Sequence, residues 1–293
     1  MNTFLDWWFT VSSRNYVVLI RDPDDEYGEK KAMKEVNIPF VEARSRLILS
    51  DSEYYRLRRP VVIGRYSVLP FYKELEDDVK CNGFHLVNTY SQFKYVADMQ
   101  NWYQDLKEFT PYTWFSMQEY LADTYEGPVV LKGETNSRRD KWLTHMFANN
   151  KDEAKEVNGR LLDDGLISQQ QIYIRKYEPL VKLIDGVNGM PIPNEWRFFV
   201  LYGQVISDGF YWSTYAEDIS EKNITIEAPS SEFIKNIVEK IGDKSNFYTI
   251  DIAQGQNGLW HVIELNEGQM SGLNSIDRKT FYTKMKKVLD EQV

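Results

Sequence analysis

Apolar residues in the first third of the chain occur in short runs separated by polar turns and by segments with helical spacing. Residues 16–20, 36–41 and 60–64 are apolar runs that predict strands. Residues 26–35 and 68–76 predict helices. Because strands alternating with helices are typical of α/β folds, the pattern predicts a small α/β domain over residues 1–87.

The apolar pattern changes beyond residue 87. Helical spacing predicts one helix over residues 92–107 and later helices at 151–162, 230–241 and 278–291. Strands are predicted at 127–132, 171–175, 195–201, 204–212, 247–253 and 259–265. The last four strands flank two short turn sequences, Tyr202-Gly203 and residues 254–258, and therefore predict two hairpins. Residues 88–293 are thus expected to be α+β, with mostly antiparallel strands.

Composition narrows the class of protein. The 293 residues are 42% hydrophobic and 27% charged, a globular balance, and the formal net charge is −9. An acidic chain disfavours a nucleic-acid partner, although a local basic patch such as 284–287 could still bind one. The single cysteine, Cys81, excludes an internal disulfide and a cysteine-cluster zinc site. No apolar run is long enough to span a membrane, and the N-terminus lacks signal-peptide features, so a cytoplasmic location is expected, in the host if the protein is viral.

Two carboxylates and one amide form the strongest candidate site. In a strand, residues i and i+2 lie on the same face, so Glu264 and Asn266 project together. Asp251 occupies the polar face of the preceding predicted strand, and a hairpin would bring all three side chains together. Oxygen ligands of this kind suit Mg²⁺, which also binds substrate phosphates. The alternative interpretation is a solvated sheet face with scattered polar residues.

Cationic side chains on strands form a second candidate group. Lys132 ends an apolar strand and opens a polar turn that contains Ser137, where phosphate oxygens could be bound. Arg175 and Arg197 lie within predicted strands, where a partly buried guanidinium requires an anion. The alternatives are an ordinary strand-end lysine and a structural ion pair, for instance between Arg197 and Glu195.

Taken in order, these residues resemble the motifs of the ATP-grasp family. The matching segments are Pro128–Lys132 with Ser137, residues 173–177, residues 195–200 and residues 264–267. The sequence is most similar to the clade named for two arginines and one lysine, which is found in many phage proteins and in scattered cellular ones. A glycine-rich phosphate loop is absent, which departs from the broader family but not from this clade.

The resemblance implies a small N-terminal domain followed by a two-lobed ATP-grasp domain over 88–293, with lobes at about 88–168 and 169–293. It implies that five residues contact ATP: Lys132, Ser137, Arg175, Glu195 and Arg197. Arg197, which would contact the transferring phosphate or the acyl phosphate, and Lys132 are the catalytic residues that it implies. The hinge residues Lys176, Tyr177 and Glu178 would contact adenine and ribose. Asp251, Glu264 and Asn266 would hold Mg²⁺.

The expected activity is ATP-dependent carboxylate–amine ligation through an acyl phosphate, on unidentified small or macromolecular substrates. This chemistry needs charge neutralisation and positioning more than a protein nucleophile. The acceptor would lie near residues 65–67 and the loop after Asn266. Two alternatives stay open: a phosphotransferase on the same fold, and a nucleotide-binding protein without turnover.

Overall fold

The computed structural model describes residues 15–21, 25, 28–42, 60–68 and 70–293. The first residues of the helix predicted at 26–35 lie outside this part of the chain. Within it, no helix combines the length and the apolar character that crossing a membrane requires.

The N-terminal unit is built on a parallel sheet of four strands in the order β2-β1-β3-β4. The strands are β1 (Tyr16–Ile20), β2 (Phe40–Glu42), β3 (Val61–Arg65) and β4 (His85–Leu86). Two helices accompany them, α1 (Glu29–Glu35) and α2 (Tyr72–Cys81). The expected α/β arrangement is confirmed.

Two helices follow where the sequence predicts one over residues 92–107. They are α3 (Tyr90–Ala97) and α4 (Met99–Leu106), separated by Asp98 in an extended conformation. The Asp98 carboxylate accepts the Gln100 backbone N–H at 3.0 Å and so caps the second helix. It also accepts the Tyr173 hydroxyl at 2.6 Å. Local capping therefore breaks a segment whose apolar spacing is continuous.

The first antiparallel sheet has the order β5-β8-β6-β7. Its strands are β5 (Thr113–Trp114), β6 (Val129–Gly133), β7 (Phe147–Ala148) and β8 (Ile172–Lys176). Three helices lie between them: α5 (Met117–Ala122), α6 (Trp142–His145) and α7 (Lys151–Leu162). Because β8 pairs with β6, both strands belong to one sheet. The division into lobes at about residue 168 stays a prediction.

The second antiparallel sheet has the order β12-β11-β13-β14, and a two-stranded ribbon of β9 and β10 precedes it. The strands are β9 (Lys182–Asp185), β10 (Pro191–Pro193), β11 (Glu195–Leu201), β12 (Gln204–Phe210), β13 (Phe247–Gln254) and β14 (Trp260–Glu267). The remaining helices are α8 (Ala216–Glu221), α9 (Ser231–Ile241) and α10 (Arg278–Gln292). Tyr202 and Gly203 both have positive φ, as the two-residue hairpin turn between β11 and β12 requires. Both predicted hairpins are present.

The C-terminal helix α10 belongs to the core of the N-terminal unit. One face of the N-terminal sheet packs on α2, whereas the other packs on α1 and on α10. The hydroxyl of Tyr16 donates to the Asp290 carboxylate at 2.7 Å, and the Asn15 amide donates to the Val293 carbonyl at 2.9 Å. A division of the chain at residue 87 stays a prediction, because this core is shared between both ends of the sequence.

Candidate functional site between the two antiparallel sheets

Strand alternation points three functional side chains away from the helices that cover each sheet. On β6 and β8, Leu131 and Ile174 pack with α7, so Lys132 and Arg175 project from the opposite face. On β13, Ile250 packs with α9, and Asp251 takes the other face. Both sheets therefore turn charged faces toward a common cleft.

Arg197, Asp251 and Glu264 lie in one row across three neighbouring strands. Arg197 on β11 is directly opposite Asp251 on β13, which is opposite Glu264 on β14. Directly opposed residues share a face, so the hairpin brings the two carboxylates together as expected. Asp251 is fully buried, and the Glu264 side chain is 15% exposed. The alternative of a solvated polar face is therefore wrong.

Arg197 forms its ion pair with Asp251 and not with Glu195. Its Nε and Nη2 donate to the two Asp251 carboxylate oxygens at 2.8 and 2.7 Å, which is a bidentate pair. Burial alone would lower the pKa of Arg197, but the Asp251 carboxylate raises it above its ordinary value. The alternative of a structural ion pair for Arg197 is therefore correct as to the type of contact, but its partner is Asp251 and not Glu195.

Lys132 crosses from the other sheet to Glu264. Its Nζ lies 2.5 Å from Glu264 Oε1, and Nη2 of Arg139 lies 3.7 Å from Oε2. Burial would raise the pKa of Glu264, but the Lys132 ammonium and Arg139 outweigh burial and lower this pKa to about 2. Glu264 is thus ionised and joins the two sheets.

Arg175 is buried without a carboxylate partner. Its Nη1 donates to the Ile263 carbonyl at 2.6 Å and its Nη2 to the Thr110 hydroxyl at 2.7 Å, both neutral acceptors. Its Nε is buried with no hydrogen-bond partner, and no described Asp or Glu lies within ion-pair distance. Burial lowers the pKa of Arg175 to about 10. An uncompensated guanidinium of this kind favours an anionic ligand.

Glu195 is a second buried group with unused bonding capacity. Its Oε2 accepts the Trp212 indole N–H at 2.8 Å, whereas Oε1 is buried without a partner. Burial raises the pKa of Glu195 to about 7. Glu195 faces the same cavity as Arg175.

That cavity, which we call the hinge cavity, has a volume of about 290 Å³. Lys132, Arg175 and Glu195 line it, together with the hinge residues 176–178. Lys176 and Glu178 form an ion pair at 3.1 Å. Apolar side chains complete the wall, among them Val130, Met146, Leu180 and Met190. The cavity wall thus combines charged and apolar side chains.

A second cavity of about 400 Å³, the loop cavity, adjoins the first. Ser137, Arg139 and Glu264 line both cavities. Arg197 and Asn266 line the loop cavity and do not line the hinge cavity. A group passing from one cavity to the other would therefore pass Arg139 and Glu264.

Comparison with known proteins identifies the family. A family model matches residues 119–285 and describes an ATP-grasp domain, family 3 of the clade named for two arginines and one lysine. The chain belongs to this clade of the ATP-grasp family. This confirms the resemblance seen in the sequence motifs. No curated protein sequence matches the chain.

Solved ATP-grasp structures share the fold of this ATP-grasp protein. A RimK-domain ATP-grasp protein from Sphaerobacter thermophilus has a TM-score of 0.57 at 14% identity, covering 93% of this chain and 99% of its own. D-cycloserine synthetase DcsG has a TM-score of 0.57 at 14% identity, and the match covers 94% of this chain and 99% of DcsG. ATP-grasp ligase PsnB has a TM-score of 0.57 at 14% identity, and the match covers 96% of this chain and 97% of PsnB. That PsnB structure is a complex with a phosphomimetic variant of a minimal precursor, Mg and ADP. At this identity, the likeness establishes the fold.

The side chains of Asp251, Glu264 and Asn266 carry oxygen atoms, the ligand type that Mg²⁺ prefers. Asn266 and Glu264 face the loop cavity, and the described residues offer the Asn266 side-chain amide no hydrogen bond. Asp251 already binds Arg197 through both oxygens, but each carboxylate oxygen keeps a second lone pair. Within the described ranges there is no group of three His, Cys, Asp or Glu residues placed to hold a metal. The amide oxygen and ligand phosphates would have to complete the coordination.

The loop after β14 is held from the N-terminal unit by Arg65. Arg65 donates to both oxygens of Glu29 at 3.0 and 3.1 Å, and to the carbonyls of Gly268 and Ser271 at 2.5 and 3.0 Å. Gln269 packs where a Cβ on Gly64 would sit, only 2.1 Å from its side chain. Arg65 lines neither cavity. Arg65 therefore supports the wall of the loop cavity, where we expect the acceptor substrate to lie.

Two residues of the site escaped the sequence reasoning. Arg139 lies two positions after Ser137 in the polar segment, but nothing in its spacing separates it from Arg138, which pairs with Asp164. Tyr211 follows β12 and lines the loop cavity, and no periodic pattern marks it. Contacts between distant segments, and not local sequence, place both side chains.

Proposed function

We propose that the protein is an ATP-dependent carboxylate–amine ligase. The observation that carries the proposal is Arg175, a buried guanidinium in the wall of the hinge cavity that has no carboxylate partner among the described residues. A polyphosphate in this cavity would supply the anion that Arg175 lacks. PsnB, which shares this fold, is named an ATP-grasp ligase, and this agrees with the proposed activity.

ATP would lie with its base in the apolar part of the hinge cavity, beside Lys176, Tyr177 and Glu178. Lys132 and Arg175 would contact its phosphates, with Ser137 and Glu195 close by. Arg197, on the loop-cavity side, would contact the phosphate that is transferred. Glu264 and Asn266, with a shared oxygen of Asp251, would hold Mg²⁺, which neutralises phosphate charge when bound.

The reaction would take two displacement steps. A substrate carboxylate oxygen attacks the γ-phosphorus, the bond to the β–γ bridging oxygen breaks, and ADP leaves. An amine nitrogen then attacks the carbonyl carbon of the acyl phosphate, phosphate departs with the C–O bond electrons, and the nitrogen loses a proton to give an amide. Both steps move negative charge past Arg197, which would stabilise it electrostatically.

Product analysis tests this proposal. The protein is incubated with ATP, Mg²⁺ and a pool of amino acids and polyamines, and ADP, phosphate and amides are measured by mass spectrometry and phosphate assay. Ligation gives ADP, phosphate and amide in equal amounts. We expect Arg175→Met to abolish product formation and Lys235→Met, at a 74%-exposed side chain on α9, to leave it unchanged.

Two results would contradict ligation. ADP with a phosphoester and without free phosphate would identify a phosphotransferase. A wild-type protein that neither binds nor turns over ATP would remove the enzymatic assignment altogether.

A further inference from the structure

Tyr211 lies beside two guanidiniums, that of Arg197 on β11 and that of Arg139 from the segment between β6 and β7. The Arg197 Cζ is 4.7 Å from the centroid of the Tyr211 ring, and the Arg139 Cζ is 5.2 Å from it. The Tyr211 hydroxyl also accepts a hydrogen bond from Arg139 Nη1 at 2.8 Å. Cations within about 6 Å of an aromatic ring are attracted to its face, so the ring offsets part of the repulsion between the two arginines.

The position of Tyr211 is fixed from its own sheet. Its backbone N–H donates to the Glu195 carbonyl at 2.9 Å, which attaches it to the first residue of β11. Its ring meets the Trp212 ring edge-on, with centroids 5.0 Å apart, and Trp212 is bonded in turn to Glu195. The hydroxyl is therefore held at a defined place in the cleft.

Arg139 depends on that hydroxyl. It lies in a short 3-10 turn, Arg139–Lys141, and its side chain is 28% exposed. Its carboxylate contact, to Glu264, is long at 3.7 Å, whereas the bond to Tyr211 is short. The Trp212 ring, 5.3 Å from the Arg139 Cζ, adds a further contact from the same sheet.

We propose that Tyr211 is a positioning residue that holds Arg139 across the cleft beside Arg197, and that Arg139 contacts the transferring phosphate. The proposal rests on the function proposed above and adds a cation to the residues assigned there. Arg139 lines both cavities, at the place where the transferred group must pass. Charge on a transferring phosphoryl group spreads over three oxygens, and arginine donors on more than one side stabilise it.

This arrangement predicts a selective loss of affinity for the terminal phosphate. Tyr211→Phe removes the acceptor for Arg139 and keeps the ring, whereas Tyr211→Leu removes both. ADP lacks the γ-phosphate and would keep its contacts with Lys132 and Arg175. AMP-PNP has that group and would bind more weakly in both variants.

The test measures the affinities of AMP-PNP and ADP by calorimetry with Mg²⁺ present. Wild type, Tyr211→Phe, Tyr211→Leu, Arg139→Met and the double variant Tyr211→Phe/Arg139→Met are compared. The ratio of the ADP to the AMP-PNP dissociation constant should fall roughly threefold to tenfold in Tyr211→Phe and further in Tyr211→Leu. In the double variant, the loss should equal that of Arg139→Met alone, because the hydroxyl acts through Arg139.

Tyr215→Phe is the matched control. The Tyr215 ring contacts Trp212 at 6.3 Å between centroids, and neither of the two guanidiniums contacts it in the described structure. This variant should keep the wild-type ratio.

Each failure has a distinct signature. An unchanged ratio in both Tyr211 variants, or equal weakening of ADP and AMP-PNP, would overturn the positioning role while leaving nucleotide binding established. Additive losses in the double variant would show that the hydroxyl does not act through Arg139. A wild-type protein that binds neither nucleotide would overturn the proposed function and this inference together.

Discussion

The Arg197 guanidinium and the Asp251 carboxylate form a bidentate ion pair, with both side chains less than a tenth exposed. Removing one partner of a buried pair leaves an uncompensated charge. We predict that Arg197→Met lowers the free energy of unfolding by about 3–5 kcal/mol, measured by urea denaturation. The double variant Arg197→Met/Asp251→Leu should recover most of this loss.

A surface pair provides the control for that measurement. Lys235 and Glu239 lie 3.6 Å apart with side chains 74% and 62% exposed. Glu239→Gln should change the free energy of unfolding by less than about 1 kcal/mol. A loss for Arg197→Met as small as this would show that the buried pair is not formed in solution.

Substitution of Arg175 should change the stability of the protein much less than substitution of Arg197. Because its guanidinium has no carboxylate partner, Arg175→Met removes an unfavourable buried charge as well as two hydrogen bonds to neutral acceptors. We predict that the stability of the nucleotide-free protein stays within about 1 kcal/mol of wild type. Wild type at ATP about a hundredfold above its Kd should gain about 2.7 kcal/mol, and the variant should lose most of that gain. Thermal unfolding with and without MgATP measures both quantities, and equal gains would contradict a phosphate contact for Arg175.

Glu195 predicts a loss of stability with rising pH. Its folded-state pKa of about 7 lies above the unfolded value of roughly 4.3, so the native state binds the proton more tightly. The contribution of this carboxyl is therefore favourable at low pH and is lost as pH rises from about 4 to about 7. Glu195→Gln should gain stability relative to wild type between pH 5 and pH 8. Denaturation curves at both pH values give the difference, and a constant difference would show that Glu195 is ionised throughout.

For Glu264 we predict the opposite dependence, a loss of stability as pH falls. Its folded-state pKa of about 2 lies below the unfolded value of roughly 4.3, so its stabilisation is present above that value and is lost as pH falls toward 2. A shift of this size corresponds to about 3 kcal/mol. Glu264→Gln should therefore be less stable than wild type at pH 6 and approach it near pH 2. A gap that persists in acid would mean that the ion pair with Lys132 is not its source.

The directions of the site residues could be predicted from the sequence, because alternation along a strand fixes which face a side chain takes. Lys132, Arg175 and Asp251 project as that rule requires, opposite the apolar neighbours that pack on helices. The hairpin that unites Asp251 with Glu264 is likewise local, since a short turn joins its strands.

The ion-pair partner of Arg197 could not be predicted from the sequence. Glu195 is two positions from Arg197 and was the obvious partner, but β11 lies next to β13, and this long-range pairing brings Asp251 opposite. The position of β8 in the first sheet also follows from long-range pairing, which strand spacing along the chain does not show. Strands of two residues, such as β5 and β7, are too short to show a period.

The packing of α10 on the N-terminal sheet bears on how the chain is made. Asn15 and Val293, which are hydrogen-bonded, lie 278 positions apart. A ribosome that adds about 5–20 residues per second needs tens of seconds to cover that distance. During this interval, β1 and β3 have emerged, while the helix that covers one of their faces has not been synthesised. The nascent N-terminal unit therefore presents an apolar sheet face until residues 278–292 have been synthesised, and this is the stage at which a chaperone would protect it from aggregation.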